Sequence, residues 1–507
     1  MIGSSTVDGM LHRSAARHPD RTALRFADRT WTYAQLDDAV TRAAGVLLEL
    51  GLERGDRVAT YGRNSDAYLL AYLGCARAGL VHVPINYALT GEELAYLVAD
   101  SGSRAVLVDP SLRPALDAAG LPVRTVLALR DEDDSLLTRA SQGPVAELDI
   151  DVADSDLVQL LYTSGTTSRP KGAMMTHRSL VHEYLSSIVG LDLAETDEPL
   201  HPMPLYHSAG MHVFLMPYLA VGATNHLMEA PDIPEILRLV EERGLRSLFL
   251  APTVWVPLSQ HPDFATRDLS SLRKAFYGAS IMPQPVLLRL QDALPELGFW
   301  NCFGQSEIGP LATVLRPEEH AERSESCGRA VLFVELRVVD ETGADVPPGE
   351  AGEVVYRSPQ LCEGYWGKPE ETAAAFRDGW FHSGDLVRVD EQGYLTVVDR
   401  IKDVINTGGV LVASREVEDV LYTHPAVAEV AVIGTPDERW IEAVTAVVVV
   451  KEPVTAEELI AHAKQSLAGF KVPKRIHLVD ELPRNQSGKL LKRVLRDDLE
   501  RGDQSVG

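Results

Sequence analysis

The sequence predicts an α/β protein in two parts. A large N-terminal region should hold mixed, mostly parallel sheets flanked by helices, with a β-rich subdomain, and a small α+β domain should follow. Three observations predict this. Helix and strand signals alternate through residues 1–150, which argues for parallel sheets covered by helices. Past residue 330 the pattern changes to short alternating strands between Gly, Pro and Asp turns. A charged connector, Asp399-Arg-Ile-Lys-Asp403, then precedes about 100 residues of mixed pattern, enough for a domain of its own. The expected boundaries are 1–398, with the β-rich part at about 330–398, a connector at 399–403, and 404–507.

The elements follow in order. Thr32-x-x-Gln35 is a capping box, and Leu36, Ala39, Val40, Ala43, Leu47 and Leu50 recur at helical spacing until Gly51. Arg57–Thr60 reads as a strand, Tyr68–Ala78 as a helix and Leu80–Pro84 as a buried strand. Thr90-x-x-Glu93 predicts a second capping box, and Arg104–Asp109 another strand. Val334–Val339, Gly352–Tyr356 and Tyr394–Val398 are the short strands of the β-rich part. The last region reads as a helix from about Ser414, strands at Val427–Ile433 and Ala443–Val450, and a helix capped by Thr455-x-x-Glu458.

Bulk properties exclude several classes. A net charge of −25 over 507 residues argues against a general nucleic-acid binder and against anchoring on anionic lipid. Cys75, Cys302, Cys327 and Cys362 are widely spaced and form no CxxC, so no zinc site or disulfide framework is indicated. No apolar run approaches 18 residues and no signal peptide is apparent, so an integral membrane protein is not expected and the cytoplasm is.

Tyr162-Thr-Ser-Gly-Thr-Thr-Ser-Arg-Pro-Lys171-Gly172 carries the strongest chemical signal. It follows the apolar run Leu157–Leu161, so it is a hydroxyl- and Gly-rich loop after a strand. Such a loop wraps a polyphosphate: small residues let backbone N–H groups approach, hydroxyls donate, and Lys171 supplies a point charge. It is not a Walker A loop, because no Ser or Thr follows the Lys. A flexible linker is the competing reading, and the preceding strand and the Pro-Lys-Gly ending weigh against it.

Six further segments come in sequence. They are Pro204-Leu-Tyr-His207, Tyr277-Gly-Ala-Ser280, Phe303-Gly-Gln-Ser-Glu307, Trp380-Phe-His-Ser-Gly-Asp385, Asp399-Arg-Ile-Lys402 and Pro483-Arg-Asn-Gln-Ser-Gly-Lys489. With the loop, this ordered set resembles the adenylate-forming superfamily, and within it the bacterial fatty-acyl and aryl CoA ligases. The likeness covers roughly residues 10 to 495. It implies a two-step reaction with ATP, Mg²⁺ and coenzyme A. A carboxylate attacks the α-phosphorus, giving acyl-AMP and pyrophosphate; the CoA thiol then takes the acyl group and releases AMP.

The resemblance implies these roles. Thr163, Ser164, Gly165, Thr166, Thr167 and Lys171 hold the β- and γ-phosphates. Ser306, in place of the commoner Thr, bonds the α-phosphate. Glu307 and Thr163 ligate Mg²⁺, a hard cation that takes oxygen donors. Phe303 stacks on adenine beside Gly278, Ala279, Ser280 and Gly304. Asp385 accepts the ribose hydroxyls with Arg400 nearby, and Lys489 bridges the carboxylate and the α-phosphate. His207 gates the substrate channels; a core hydrogen bond is the equal rival reading. The C-terminal domain rotates between half-reactions about the 399–403 hinge, with Lys402 at the pivot. Rotation brings Gly408 and Gly409 beside the thiol channel, where pantetheine needs close backbone approach.

Gly304 stands where the superfamily's acetate enzymes narrow the pocket with Trp. Ala251–Pro257 carries no charge, and Met211–Met216 offers no acidic residue for an ammonium. A neutral, bulky acid is therefore expected: medium- or long-chain fatty, aromatic or polycyclic. Trp255 either lines that pocket or packs in the core. Two departures bear on efficiency: Ser168 stands where the loop usually has Gly, and Val410-Leu411 follow Gly409. The small-molecule partners expected are the acid, ATP and CoA. An acyl carrier protein as acceptor, a ligase specialised for one half-reaction, a luciferase-like oxygenase and a decayed nucleotide-binding regulator are the alternatives. Monomer and homodimer both stay open.

Overall fold

The computed structural model describes residues 5–121, 123, 125–145, 148, 150–163, 169–280, 282–408, 410–437, 439–484 and 490–504. The sequence-predicted positions Ser164, Gly165, Thr166, Thr167, Ser168, Gly409 and Lys489 lie outside them. Residue contacts divide the chain into two compact units. The first takes the described residues of 1–164, 170–336 and 356–381, the second those of 165–169, 337–355 and 382–507.

Two sheets build the first unit. In the six-stranded sheet the order is Thr125–Ala128, Ala105–Val108, Arg57–Tyr61, Val81–Ile85, Leu157–Thr163, Lys171–Thr176. The pairings are parallel except the last, where Thr163 faces Lys171 across an antiparallel pair. Every residue of Val81–Ile85 and Ala105–Val108 is buried, as expected of parallel strands covered on both faces. The nine-stranded sheet includes Pro199–His201, Ser247–Phe249, Lys274–Gly278 and Gly298–Gly304 as consecutive parallel neighbours. Leu311–Leu315 then returns antiparallel beside Gly298–Gly304.

Local sequence explains most helix boundaries. The Thr32–Gln35 capping box is formed in both directions, and Leu36, Ala39, Val40, Ala43 and Leu47 are buried along Tyr33–Glu49. The helix expected from Tyr68 begins at Asp66, because the Ser65 hydroxyl accepts from the Tyr68 N–H and so caps it earlier. The box expected at Thr90 is not made, although a helix does follow over Gly91–Ser101. Gly91 sits at φ +53, and this left-handed first residue turns the opening N–H groups away from the Thr90 hydroxyl.

In the second unit, the strands Val410–Val412, Ile405–Thr407, Ile441–Val450 and Val427–Asp437 lie in that order, and Arg475–Val479 pairs parallel with Ile441–Val450. The helices Ser414–Tyr422 and Ala456–Ser466 supply Val417, Leu421, Leu459 and Ala463 to its core. The Thr455–Glu458 capping box is present. Trp380–Val389 and Leu395–Arg400 belong to a further sheet of five strands and pair antiparallel, Asp385 opposite Arg400.

The first unit buries an unusual number of imidazoles. His82, Gln159, His212, Tyr184 and Tyr72 form one chain: His82 Nδ1 to Gln159 Nε2 is 3.0 Å, His212 Nε2 to Gln159 Oε1 2.7 Å, Tyr184 Oη to His212 Nδ1 2.9 Å, and Tyr72 Oη to Tyr184 Oη 3.1 Å. Burial holds His82 and His212 down at about 3, and His177 and His201 at about 4. These four are neutral in the folded chain at pH 5, whereas in the unfolded chain each titrates near about 6.5. As pH falls from 7 to 5 the unfolded state binds protons that the folded state refuses. Each histidine then removes up to about 1.4 kcal/mol of stability per pH unit. Burial lowers His207 and His320 in the same sense, whereas it raises Glu183 and Glu418, which oppose this slope as the smaller set. The unfolding midpoint measured by calorimetry should therefore fall from pH 7 to pH 5, and an unchanged midpoint would contradict the buried-histidine account.

Candidate active site

The site begins where parallel strands end too close together for side chains. Gly278 closes Lys274–Gly278 opposite Cys302, and a Cβ there would stand 2.2 Å from the Cys302 carbonyl oxygen. Gly304 ends the next strand at φ +155, where a Cβ would stand 1.9 Å from the Pro310 carbonyl oxygen. Ala279 follows at φ +64, a left-handed conformation uncommon for a residue with a side chain. Glycine lets the backbones converge, so Gly278, Ala279, Ser280, Phe303 and Gly304 gather at the carboxyl ends of adjacent strands. In open α/β sheets that edge is where ligands bind.

A short turn, Ser306–Ile308, leaves this edge. Ser306 Oγ lies 3.0 Å from Ser208 Oγ, next to His207. Glu307 is 7% exposed, and Tyr365 Oη donates to its Oε1 over 3.1 Å. The segment carrying Tyr365 is itself fixed. Cys362 N–H donates to the Glu307 carbonyl, Met174 N–H to the Gly364 carbonyl and Trp366 N–H to the Gly172 carbonyl. Those bonds lay the segment along the strand Lys171–Thr176, and Lys171 Nζ sits 5.0 Å from the centre of the Tyr365 ring. Cation–π contact and hydrogen bond together place one aromatic between a lysine and a carboxylate. Burial, and then Glu307 beside it, push the Tyr365 phenol up, so it stays a neutral donor.

His207 stacks at a tilt on Tyr206, ring centres 4.4 Å apart, and Tyr206 meets Tyr87 edge-on at 5.5 Å. Desolvation lowers His207 to about 4, so it is neutral at physiological pH. Trp255 is 1% exposed and donates Nε1–H to the Phe276 carbonyl over 3.0 Å. It packs in the core beside Phe299.

The second unit carries its own constellation. Asp385 is 3% exposed, and its Oδ1 receives Arg400 Nε at 2.6 Å across the strand pair. The turn before it is held by Glu353, which takes His382 Nδ1 at 2.7 Å and the Gly384 N–H at 2.9 Å. Asp399 receives the Ser414 N–H and hydroxyl at 2.6 and 2.8 Å, and Arg496 reaches Asp403 at 2.9 Å. Lys402 lies in the turn Ile401–Asp403 between those two anchored aspartates. Gly408 sits at φ +64 and donates its N–H to the Trp440 carbonyl. On either side of residues 485–489, Arg484 bridges Leu490.

Thus the first unit brings together Thr163 and Lys171 from one strand pair and Ser306 and Glu307 from a distant turn, with Gly278 and Phe303 on neighbouring strand ends. The second joins Asp385 to Arg400. Sequence reasoning missed Tyr365, Ser208 and Glu353. Tyr365-Trp366 between Gly364 and Gly367 was the available signal: bulky aromatics in a glycine-flanked loop need something to pack on.

Comparison with known proteins identifies the class. A family model described as AMP-binding enzyme matches residues 11–366, and its C-terminal domain model matches 416–489. The chain belongs to the AMP-binding enzyme family. It is 39% identical over 486 residues to a feruloyl-CoA synthase of Amycolatopsis sp, covering 96% of this chain and 97% of the relative. It is 35% identical to a medium/long-chain-fatty-acid–CoA ligase of Mycobacterium tuberculosis, covering 98% and 90%. The o-succinylbenzoate CoA synthetase of Bacillus subtilis, solved with its acyl-adenylate intermediate, superposes with a TM-score of 0.88 at 29% identity, covering 96% and 98%. The protein is an ATP-dependent, AMP-forming acyl-CoA ligase that works through acyl-AMP. Among the described residues no helix is long and apolar enough to cross a membrane.

The glycine geometry makes a direct demand. Gly304→Ala forces a Cβ into the Pro310 carbonyl, a backbone atom that cannot swing away. It should cost at least about 3 kcal/mol of stability, read as a lowered unfolding midpoint. A midpoint equal to that of the parent would show that the strand ends are not so close.

Proposed function

We propose that this ligase activates a neutral, bulky acid, fatty or aromatic, and passes it to CoA. The observation that carries this reading is the gathering of Lys171, Glu307, Ser306 and Thr163 at the carboxyl edge of the sheets. The uncharged Ala251–Pro257 segment supports a neutral acid, as do the acids named in the feruloyl and fatty-acid relatives. Burying such an acyl group is worth roughly 25 cal/mol per Å² of apolar surface.

In the proposed mechanism Lys171 and the hydroxyl loop from Thr163 hold the β- and γ-phosphates. Ser306 donates to the α-phosphate, and its contact with Ser208 orients the hydroxyl. Phe303 stacks on adenine against the Gly278–Ser280 and Gly304 backbone. Asp385, steered by Arg400, accepts the ribose hydroxyls. Lys489 aligns the carboxylate with the α-phosphorus, and His207 gates the passage to the thiol. The C-terminal domain, residues 404–507, then turns about 399–403 with Lys402 at the pivot, and Gly408-Gly409 admit the pantetheine arm.

Glu307 and Thr163 would hold Mg²⁺. Among the described residues no three His, Cys, Asp or Glu side chains gather to hold a metal. One carboxylate and one hydroxyl suit an ion that arrives on phosphate oxygens and keeps several waters. When bound, the ion would offset charge on the departing pyrophosphate. We take CoA rather than a carrier protein as the acceptor, and the cytoplasm as the compartment, which suits the buried Cys75 and Cys362 thiols.

A panel of fatty, aromatic and polycyclic acids with ATP and Mg²⁺, with and without CoA, tests the reading. Pyrophosphate should appear with a neutral bulky acid, and a thioester only with CoA. No thioester from any acid or from supplied acyl-AMP would overturn it. Lys489→Ala should slow acyl-AMP formation at least about 100-fold while leaving thioester formation from supplied acyl-AMP near the parent rate. Equal loss in both steps would contradict the assignment of Lys489 to adenylation.

A further inference from the structure

Behind the Ser306–Leu311 segment lies a fully buried polar cluster. The helix His177–Gly190 supplies Glu183, Ser186 and Ser187, and Gln360 arrives from the loop after Ala351–Arg357. All four are 0% exposed. Gln360 Nε2 lies 2.5 Å from Glu183 Oε2, 3.2 Å from the Ile308 carbonyl oxygen and 3.1 Å from the Leu311 carbonyl oxygen, three acceptors for two N–H groups, so one N–H is shared between two of them. Ser186 Oγ donates to Gln360 Oε1 at 2.6 Å and so fixes which way the amide points. Glu183 Oε1 accepts from Ser187 Oγ at 3.0 Å and from the Leu311 N–H at 3.3 Å. A Cβ on Gly309 would stand 3.1 Å from Glu183.

This arrangement is costly for mere packing. A buried carboxyl and amide lose their hydration, and apolar side chains of the same size fill a core at least as well. Here the cluster reaches the Ile308 carbonyl, at the end of the turn that presents Ser306 and Glu307, and the Leu311 carbonyl and N–H just after it. A polar network satisfied in this way specifies one backbone position where an apolar contact would tolerate several.

We propose that Glu183 and Gln360 are positioning residues for the adenylation half-reaction. They touch no substrate. They hold the Ser306–Leu311 backbone so that Ser306 and Glu307 meet the phosphates at fixed distances, and the second half-reaction does not need them. The inference rests on the roles proposed above for Ser306 and Glu307.

Glu183→Gln tests it with almost no change in volume. Both Glu183 oxygens face donors, and a carboxamide places two N–H groups on one of those positions where a carboxyl carries at most one proton, so an NH₂ must point at the Gln360 NH₂ or at Ser187 and Leu311. Pyrophosphate release should fall at least about 10-fold and the KM for ATP should rise, since a displacement of about 1 Å at a reacting group can cost about 100-fold. Thioester formation from supplied acyl-AMP should stay within about threefold of the parent. Hydrogen exchange of the 305–312 backbone should quicken, a readout that does not depend on activity. Equal loss in both half-reactions would reduce the cluster to fold support and overturn the proposal, as would faster exchange with adenylation unchanged. Ser187→Ala removes one donor to Glu183 and should give the same split in weaker form, which keeps the test available if Glu183→Gln does not fold. A parent enzyme that releases no pyrophosphate with any acid would instead refute the underlying site assignment.

Discussion

One constraint governs the site: a polar turn has to leave a sheet edge where neighbouring backbones almost touch. Gly278 and Gly304 permit the approach, because no Cβ fits at either position. The turn that follows buries Glu307 and half-buries Ser306, so the Glu307 carboxyl needs a protein partner. Tyr365 supplies one to Glu307 from the front, and Gln360 supplies others to Ile308 and Leu311 from behind. The helix His177–Gly190 and the strand Lys171–Thr176 serve as the walls on which these partners are mounted.

On the proposed roles, the two units divide the chemistry. The first carries lysine, carboxylate and hydroxyls suited to the charge that develops when a phosphorus–oxygen bond changes hands, and preorganised groups of this kind do most where water is excluded. The second offers Asp385, already oriented by Arg400, and a connector whose flanks are anchored within that unit through Asp399 to Ser414 and Asp403 to Arg496.

Local rules made much of this legible. The capping boxes at Thr32 and Thr455, the buried runs at Val81–Ile85 and Ala105–Val108 and the strand expected at Tyr394–Val398 follow from neighbours within a few residues, whereas the partner strand Trp380–Val389 was not foreseen. Thr90 failed because Gly91 takes a left-handed conformation, a backbone choice that composition does not reveal. Strand order was out of reach: Thr22–Phe26 pairs with Asn225–Leu227, a contact between segments about 200 residues apart. The motifs named Lys171, Ser306 and Glu307 as ingredients but not Tyr365, whose loop position looks like ordinary aromatic packing. Glu183 reads as a solvated helix charge until Gln360, 177 residues away, is seen to meet it.

The central claim is that an oxygen of the acid attacks the α-phosphorus of ATP and later leaves with AMP. Turnover of a neutral acid labelled with ¹⁸O in its carboxylate measures this directly. Mass spectrometry of the products should find one labelled oxygen in AMP and none in pyrophosphate. Unlabelled AMP, or label in inorganic phosphate alongside ADP, would contradict the account.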